Sequence, residues 1–163
     1  MRKTVLIVFC LFLFAGTAYS SEPWETCKVD QVYNYMNERF PDEAALLREF
    51  GEPLRVEEGE VEFDFADSTH AKFKNREYDG IRIGSFLYIF ISEFTTSKPG
   101  IIEYSGIDIG ASREDVMKIF SEQTNIQVEE NKVTFEGFSG LCELIFVFEN
   151  DRVIQMTYNN WPN

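Results

Sequence analysis

The chain has 163 residues, 28 acidic against 15 basic side chains, a formal net charge of −13 and a single histidine. That balance repels nucleic acid and anionic membrane surfaces. One histidine, His70, leaves triad and zinc chemistry without their usual partners.

Residues 1–20 read as a secretory signal: Arg2 and Lys3, an apolar run from Val5 to Phe14, then small residues at Ala18 and Ser20. The run is shorter than the roughly 20 residues a membrane span takes. No cysteine follows Ala15-Gly16, where a lipid anchor would need one. The expectation is a soluble periplasmic or secreted chain beginning near Ser21, without stable membrane insertion. Losing Arg2 and Lys3 takes the net charge from −13 to −15. The absence of any Asn-x-Ser/Thr acceptor fits a bacterial source. Cys27 and Cys142 then remain, and an oxidising compartment allows a disulfide between them. Such a loop is worth about 4–5 kcal/mol by chain entropy. The other reading is two unpaired thiols, one of them buried.

Val29, Val32, Tyr33, Met36 and Phe40 fall at helical spacing, which predicts a first helix over 29–39, interrupted by Pro41. Asp42 caps a second helix through Phe50, with Leu46, Leu47 and Phe50 as its buried stripe; Gly51 and Pro53 end it. Leu54 to Glu57 and Glu60 to Phe65 read as a hairpin turning at Glu58-Gly59. Ala66 to His70 reads as a loop and Ala71 to Tyr78 as a strand, followed by a turn at Asp79-Gly80. Ile81 to Ile83 and Phe86 to Phe94 read as a second hairpin turning at Gly84-Ser85. The longer strand is apolar on both faces, as a central strand would be. After a short joint at 95–100, Ser112 opens a third helix with Asp115 completing a capping box. Val116, Ile119 and Phe120 supply its apolar stripe. Strands follow at 126–128, 132–138, 143–148 and 152–158, the last pair joined by Glu149-Asn150-Asp151.

One segment repeats. Val56-Glu57-Glu58-Gly59-Glu60-Val61-Glu62-Phe63 recurs as Val128-Glu129-Glu130-Asn131-Lys132-Val133-Thr134-Phe135, identical at five of eight positions. The expected fold class is therefore α+β: two tandem helix-plus-antiparallel-sheet repeats packed as one domain, with helices on one face. Residues 21–96 form the N-terminal helix and first repeat, and 97–163 the second.

The helix entry Gly110-Ala111-Ser112, followed by Val116 and Phe120, and the helix exit Phe50-Gly51-Glu52-Pro53, resemble small exported bacterial modules. These are the SmpA/OmlA outer-membrane-assembly lipoproteins and the tandem-repeat β-lactamase inhibitory proteins. Each repeat here keeps half of that signature. The resemblance implies a module that binds proteins and does not catalyse; the missing lipid-anchor cysteine departs from the lipoprotein role.

No catalytic residue, metal-ligand set or cofactor motif emerges. Gly106 and Gly110 lack the Gly-Lys-Ser/Thr ending of a phosphate loop, and Gly137-Phe138-Ser139-Gly140 is one residue short of a nucleophile elbow. Glu57, Glu58, Glu129 and Glu130 occupy matching places in the repeat and offer carboxylates to a partner, although polar hairpin tips read the same way. Calcium would want six to eight oxygens, and no loop has the alternating ligand spacing of a calcium hand. Tyr158 and Trp161 sit in a polar terminal segment, where such aromatics anchor interfaces or close the terminus onto the sheet. The expectation is an exported, inhibitor-like, non-catalytic protein-binding module with a basic protein or peptide partner. The alternative is a small-ligand or cation carrier with its site between the repeats.

Overall fold

The structure, a computed structural model, describes residues 28–63, 69–86, 89–102, 105–121, 125–137, 140 and 142–160, without the side chains of 30, 33, 61–63, 69–70 and 89–90. The expected signal, Cys27 and Trp161 lie outside the described residues, and with Cys27 the expected disulfide.

Among the described residues, three helices form where the periodicity places them. In α1 (Lys28–Arg39), Val29, Val32 and Met36 are fully buried along one stripe, which Phe40 continues past the helix end. Helix α2 (Glu43–Phe50) starts because the Asp42 carboxylate accepts the Ala45 N–H at 2.8 Å. It stops at Gly51, whose φ of 74° suits glycine, with its N–H donated to the Leu47 carbonyl. Leu46 is buried as expected, but Leu47 is 39% exposed, because only one side of this short helix meets the sheet. Helix α3 (Arg113–Ile119) begins at Ser112, whose hydroxyl accepts the Asp115 N–H while donating to the Asp115 carboxylate.

The strands are β1 (Arg55–Phe63), β2 (Thr69–Tyr78), β3 (Ile81–Phe86), β4 (Ile89–Thr96), β5 (Ile126–Val128), β6 (Lys132–Glu136), β7 (Cys142–Glu149) and β8 (Arg152–Asn160). They form one antiparallel sheet in the order β1-β2-β3-β4-β8-β7-β6-β5. The protein is thus mixed α+β with a large strand content. Each half contributes a four-strand meander, and the two meet where β4 pairs with β8.

Register explains where the core sits. Residues directly opposite in an antiparallel pair share a face. Following the pairs gives a continuous row: Val56, Arg76, Ile83, Phe94, Tyr158, Leu144, Phe135 and Ile126. Its six inner members are buried, and it is the face the helices cover. Over β4, Phe94 stacks on Phe40 at 5.8 Å between centroids, with Phe50 joining both Phe94 and Tyr78. Under α3, Phe120 meets Phe135 at 4.8 Å and Phe146 at 5.7 Å. Burying each such ring stabilises by about 1.5–3 kcal/mol before entropy is counted.

Three sequence expectations need correction. Glu58-Gly59 is not a turn: β1 runs unbroken through it. Gly59 faces Phe73, whose ring lies so close that a Cβ at Gly59 would be 2.6 Å from Phe73 Cε1; the glycine serves a cross-strand contact. Nor is Gly84-Ser85 a turn. Both lie in β3, Gly84 paired with Asn75 and Glu93, and the ladder shifts register beyond it. The third concerns the repeated octapeptide. Its first copy lies within one strand, whereas its second bends as the β5–β6 hairpin, closed by the Glu129 N–H on the Lys132 carbonyl at 2.8 Å.

Candidate functional site

The face away from the helices carries two further rows set by the same register. One contains Glu57, Asn75, Gly84, Glu93, Asn159, Glu143 and Glu136. The other contains Arg55, Glu77, Arg82, Thr95, Thr157, Ile145, Thr134 and Gln127. The first row thus sets four carboxylates and two amides in a line. At the usual strand spacing it extends about 29 Å from β1 to β6.

The row is locally ordered. Glu93 has a side chain 19% exposed, 3.7 Å from Arg82 and within reach of the Thr95 hydroxyl. Thr95 and Thr157 share a hydrogen bond of 3.0 Å across the β4–β8 seam. Gln127 donates to Glu136 at 2.7 Å. Glu136 and Glu143 are direct cross-strand partners, so two like charges stand opposite each other at about 5 Å between Cβ atoms. Among the described residues Glu57, Glu136 and Glu143 enter no ion pair. That opposition costs stability in the isolated protein, and a bound cationic group would relieve it.

The helix side of β1–β3 holds a second charged feature. Beyond the start of α2, Glu58, Gly59, Glu60, Lys72, Phe73, Lys74 and Ser85 line an open cleft of about 450 Å³. Lys74 Nζ lies 2.9 Å from Glu58 and 3.0 Å from Glu43, and Arg76 Nε lies 3.2 Å from Glu43. The nearly buried Arg76 also donates to the Ser85 hydroxyl at 2.9 Å. Hydrogen bonds from Lys74 and then Arg76 hold the Glu43 carboxyl below its ordinary value. The same contacts, Glu58 before Glu43, raise the Lys74 ammonium. This network ties α2 to the sheet.

The residues singled out from sequence do not converge. Glu58 lines the cleft, while Glu57 lies on the opposite face of the same strand. Glu129 pairs with Lys132 at 2.7 Å, and the Glu130 carbonyl accepts from Arg113 at 2.8 Å. Since β1 and β5 are opposite edges, the two glutamate pairs stand about 34 Å apart. Tyr158 is 0% exposed at the sheet centre, its hydroxyl 3.5 Å from the buried Cys142 sulfur, so it presents no surface to a partner. The His70 side chain lies outside the described residues. Among those described, no group of three or more His, Cys, Asp or Glu could hold a metal ion, and no helix is long and apolar enough to cross a membrane. Glu93, Glu136, Glu143, Asn75 and Asn159 went unread individually. Their polar-apolar alternation marked a wet strand face, but not which strands would lie side by side.

No family model matches the chain, and no curated protein matches it. Two solved structures are similar. One is the uncharacterized protein yfeY from Escherichia coli, at 17% identity and a TM-score of 0.39, covering 73% of this chain and 88% of that one. The other is a DUF4309 family protein, YjgB, from Bacillus subtilis, again at 17% identity and a TM-score of 0.39, covering 81% of this chain and 95% of that one. A likeness this weak carries no argument about what the chain binds.

Proposed function

We propose that the protein is an exported, non-catalytic binding module, inhibitor-like in its mode, whose sheet face away from the described helices receives a basic protein or peptide. The observation that carries the reading is the acidic row from Glu57 to Glu136, in which Glu136 and Glu143 stand opposite each other with no ion pair to either among the described residues. A positive surface laid along it would gain ion pairs while removing that repulsion, and the steering would weaken with salt. The fold is read as a tandem duplication of a helix followed by four strands, supported by the mirrored strand order about the β4–β8 seam. The octapeptide is not the mark of that duplication. Matching by sheet row sets Val56 beside Ile126 rather than Val128. Among the described residues, the cleft on β1–β3 and a second one, lined by Ser112, Arg113, Glu114, Met117 and Asp151, each belong to one half, so neither of these supports a carrier with a site between the repeats.

The test is capture from an exported fraction with the purified chain and with a Glu57→Lys/Glu143→Lys variant as baits, at low and high ionic strength. A basic partner held at low salt and lost with the variant supports the reading. An acidic partner, salt-insensitive binding, or equal capture by the variant overturns it.

A further inference from the structure

The two edges of this sheet are built differently. Strand β5 has three residues and runs straight into its hairpin, so it offers almost no backbone to a neighbour. Strand β1 has nine residues and, among those described, pairs on one side only, with β2. Alternate N–H and C=O groups of β1 therefore point away from the sheet. Natural edges are blunted by proline, brevity or charge; Arg55–Phe63 has no proline and no such brevity, and its one such device is charge, nearly all of it acidic: Glu57, Glu58, Glu60 and Glu62 against Arg55. Its side chains are also open. Val56 is 45% exposed, the preceding Leu54 is 77% exposed, and Glu57, Glu58 and Glu60 are all exposed.

The charges on β1 select what can pair there. A second copy docking antiparallel about Gly59 would set Glu58 opposite Glu60 twice, and a parallel in-register copy would set every glutamate against itself. Both arrangements put like charges at direct cross-strand positions, which is destabilising. The strand thus resists its own kind while its backbone stays available. Glu58 and Glu60 are exposed and each has one lysine from β2, at 2.9 Å and 3.9 Å, with no further cation among the described residues. Glu57 has no ion pair there and heads the acidic row on the other face.

We propose that β1 accepts an extended cationic peptide segment as a ninth strand. Main-chain hydrogen bonds to Arg55–Phe63 would give affinity. Lys or Arg side chains alternating to the two faces would meet Glu58 and Glu60 on the helix side and Glu57 on the other. Small apolar residues between them would cover Val56 and Leu54. The inference rests on the basic-partner reading above and names where, and in what conformation, such a partner would engage.

The experiment titrates the purified chain with four labelled probes, followed by fluorescence anisotropy. They are a peptide as long as β1 built of Lys and Val in alternating pairs, so that each face carries both, the same peptide N-methylated at alternate amides, its Glu/Val counterpart, and a proline-interrupted Lys/Val peptide. The expected result is binding of the first, weakened about 10- to 100-fold by N-methylation through loss of several backbone hydrogen bonds. Weakening by the exposed Glu57→Lys change, with unaltered melting, is also expected. Equal binding of the N-methylated or proline-interrupted peptide would overturn strand addition while leaving a basic partner in place. Equal binding of the Glu/Val peptide, or none of the Lys/Val peptide, would overturn both. Self-association through β1 in place of peptide binding would also overturn the proposal.

Discussion

Replacing Phe94 by alanine should destabilise the whole molecule in a single step. Phe94 is fully buried at the middle of the eight-strand row, paired with Tyr158 across the seam, stacked on Phe40 and in tilted contact with Phe50. Truncating a buried phenylalanine costs about 3–5 kcal/mol as transfer and cavity terms together. A domain of this size has about 5–15 kcal/mol in total, so the variant should keep its fold with a much smaller margin. At about 2–4 °C per kcal/mol for chains of this length, melting should fall by roughly 6–20 °C. Because β4 is bonded both to β3 and to β8, the loss should appear equally in both halves. The assay is urea unfolding followed by far-ultraviolet dichroism and by tryptophan or tyrosine fluorescence. Two separated transitions, or a cost under about 1 kcal/mol, would refute the reasoning that one core and one seam hold the protein together.

Ser112→Ala should cost about 1 kcal/mol by uncapping α3, and Ser112→Asp should recover most of it, measured by chemical denaturation. The Glu43 network should show in acid. Its carboxyl is held below the ordinary 4.5 in the folded state, so its stabilisation is present above that value and disappears as pH falls through the lower folded one. The Glu43→Gln variant should therefore show a flatter decline of stability below about pH 4.5 than the parent; an identical decline would mean that the contacts with Lys74 and Arg76 contribute nothing. Glu143→Gln, which relieves the opposition to Glu136, should leave stability unchanged or raise it by up to about 1 kcal/mol while weakening a cationic partner. A loss of stability would show that the pair is not repulsive.

Local chemistry was legible in the sequence. Asp42, Gly51 and Ser112 mark helix ends because a cap needs only its own neighbours, and the turn at Asn150-Asp151, where both residues have positive φ, was marked by polar residues that tolerate it. What failed was non-local. Gly59 and Gly84 look like turn residues, yet each is a glycine because a side chain from an adjoining strand lies against it. Tyr158 sits in a polar terminal stretch that reads as surface. Its burial follows from β8 pairing with β4, sixty residues away in sequence, and nothing near Tyr158 encodes that pairing. The acidic row has the same origin: Glu57, Glu93, Glu136 and Glu143 are scattered in the chain and line up only through register.

The most direct test of the account is amide chemical-shift mapping of the labelled chain during titration with the Lys/Val peptide. It predicts that shifts concentrate on Arg55–Phe63 and on the β2 residues paired with it, Lys72 to Glu77, fading as salt is added. Shifts confined to α1 and α3, or unchanged by salt, would contradict it.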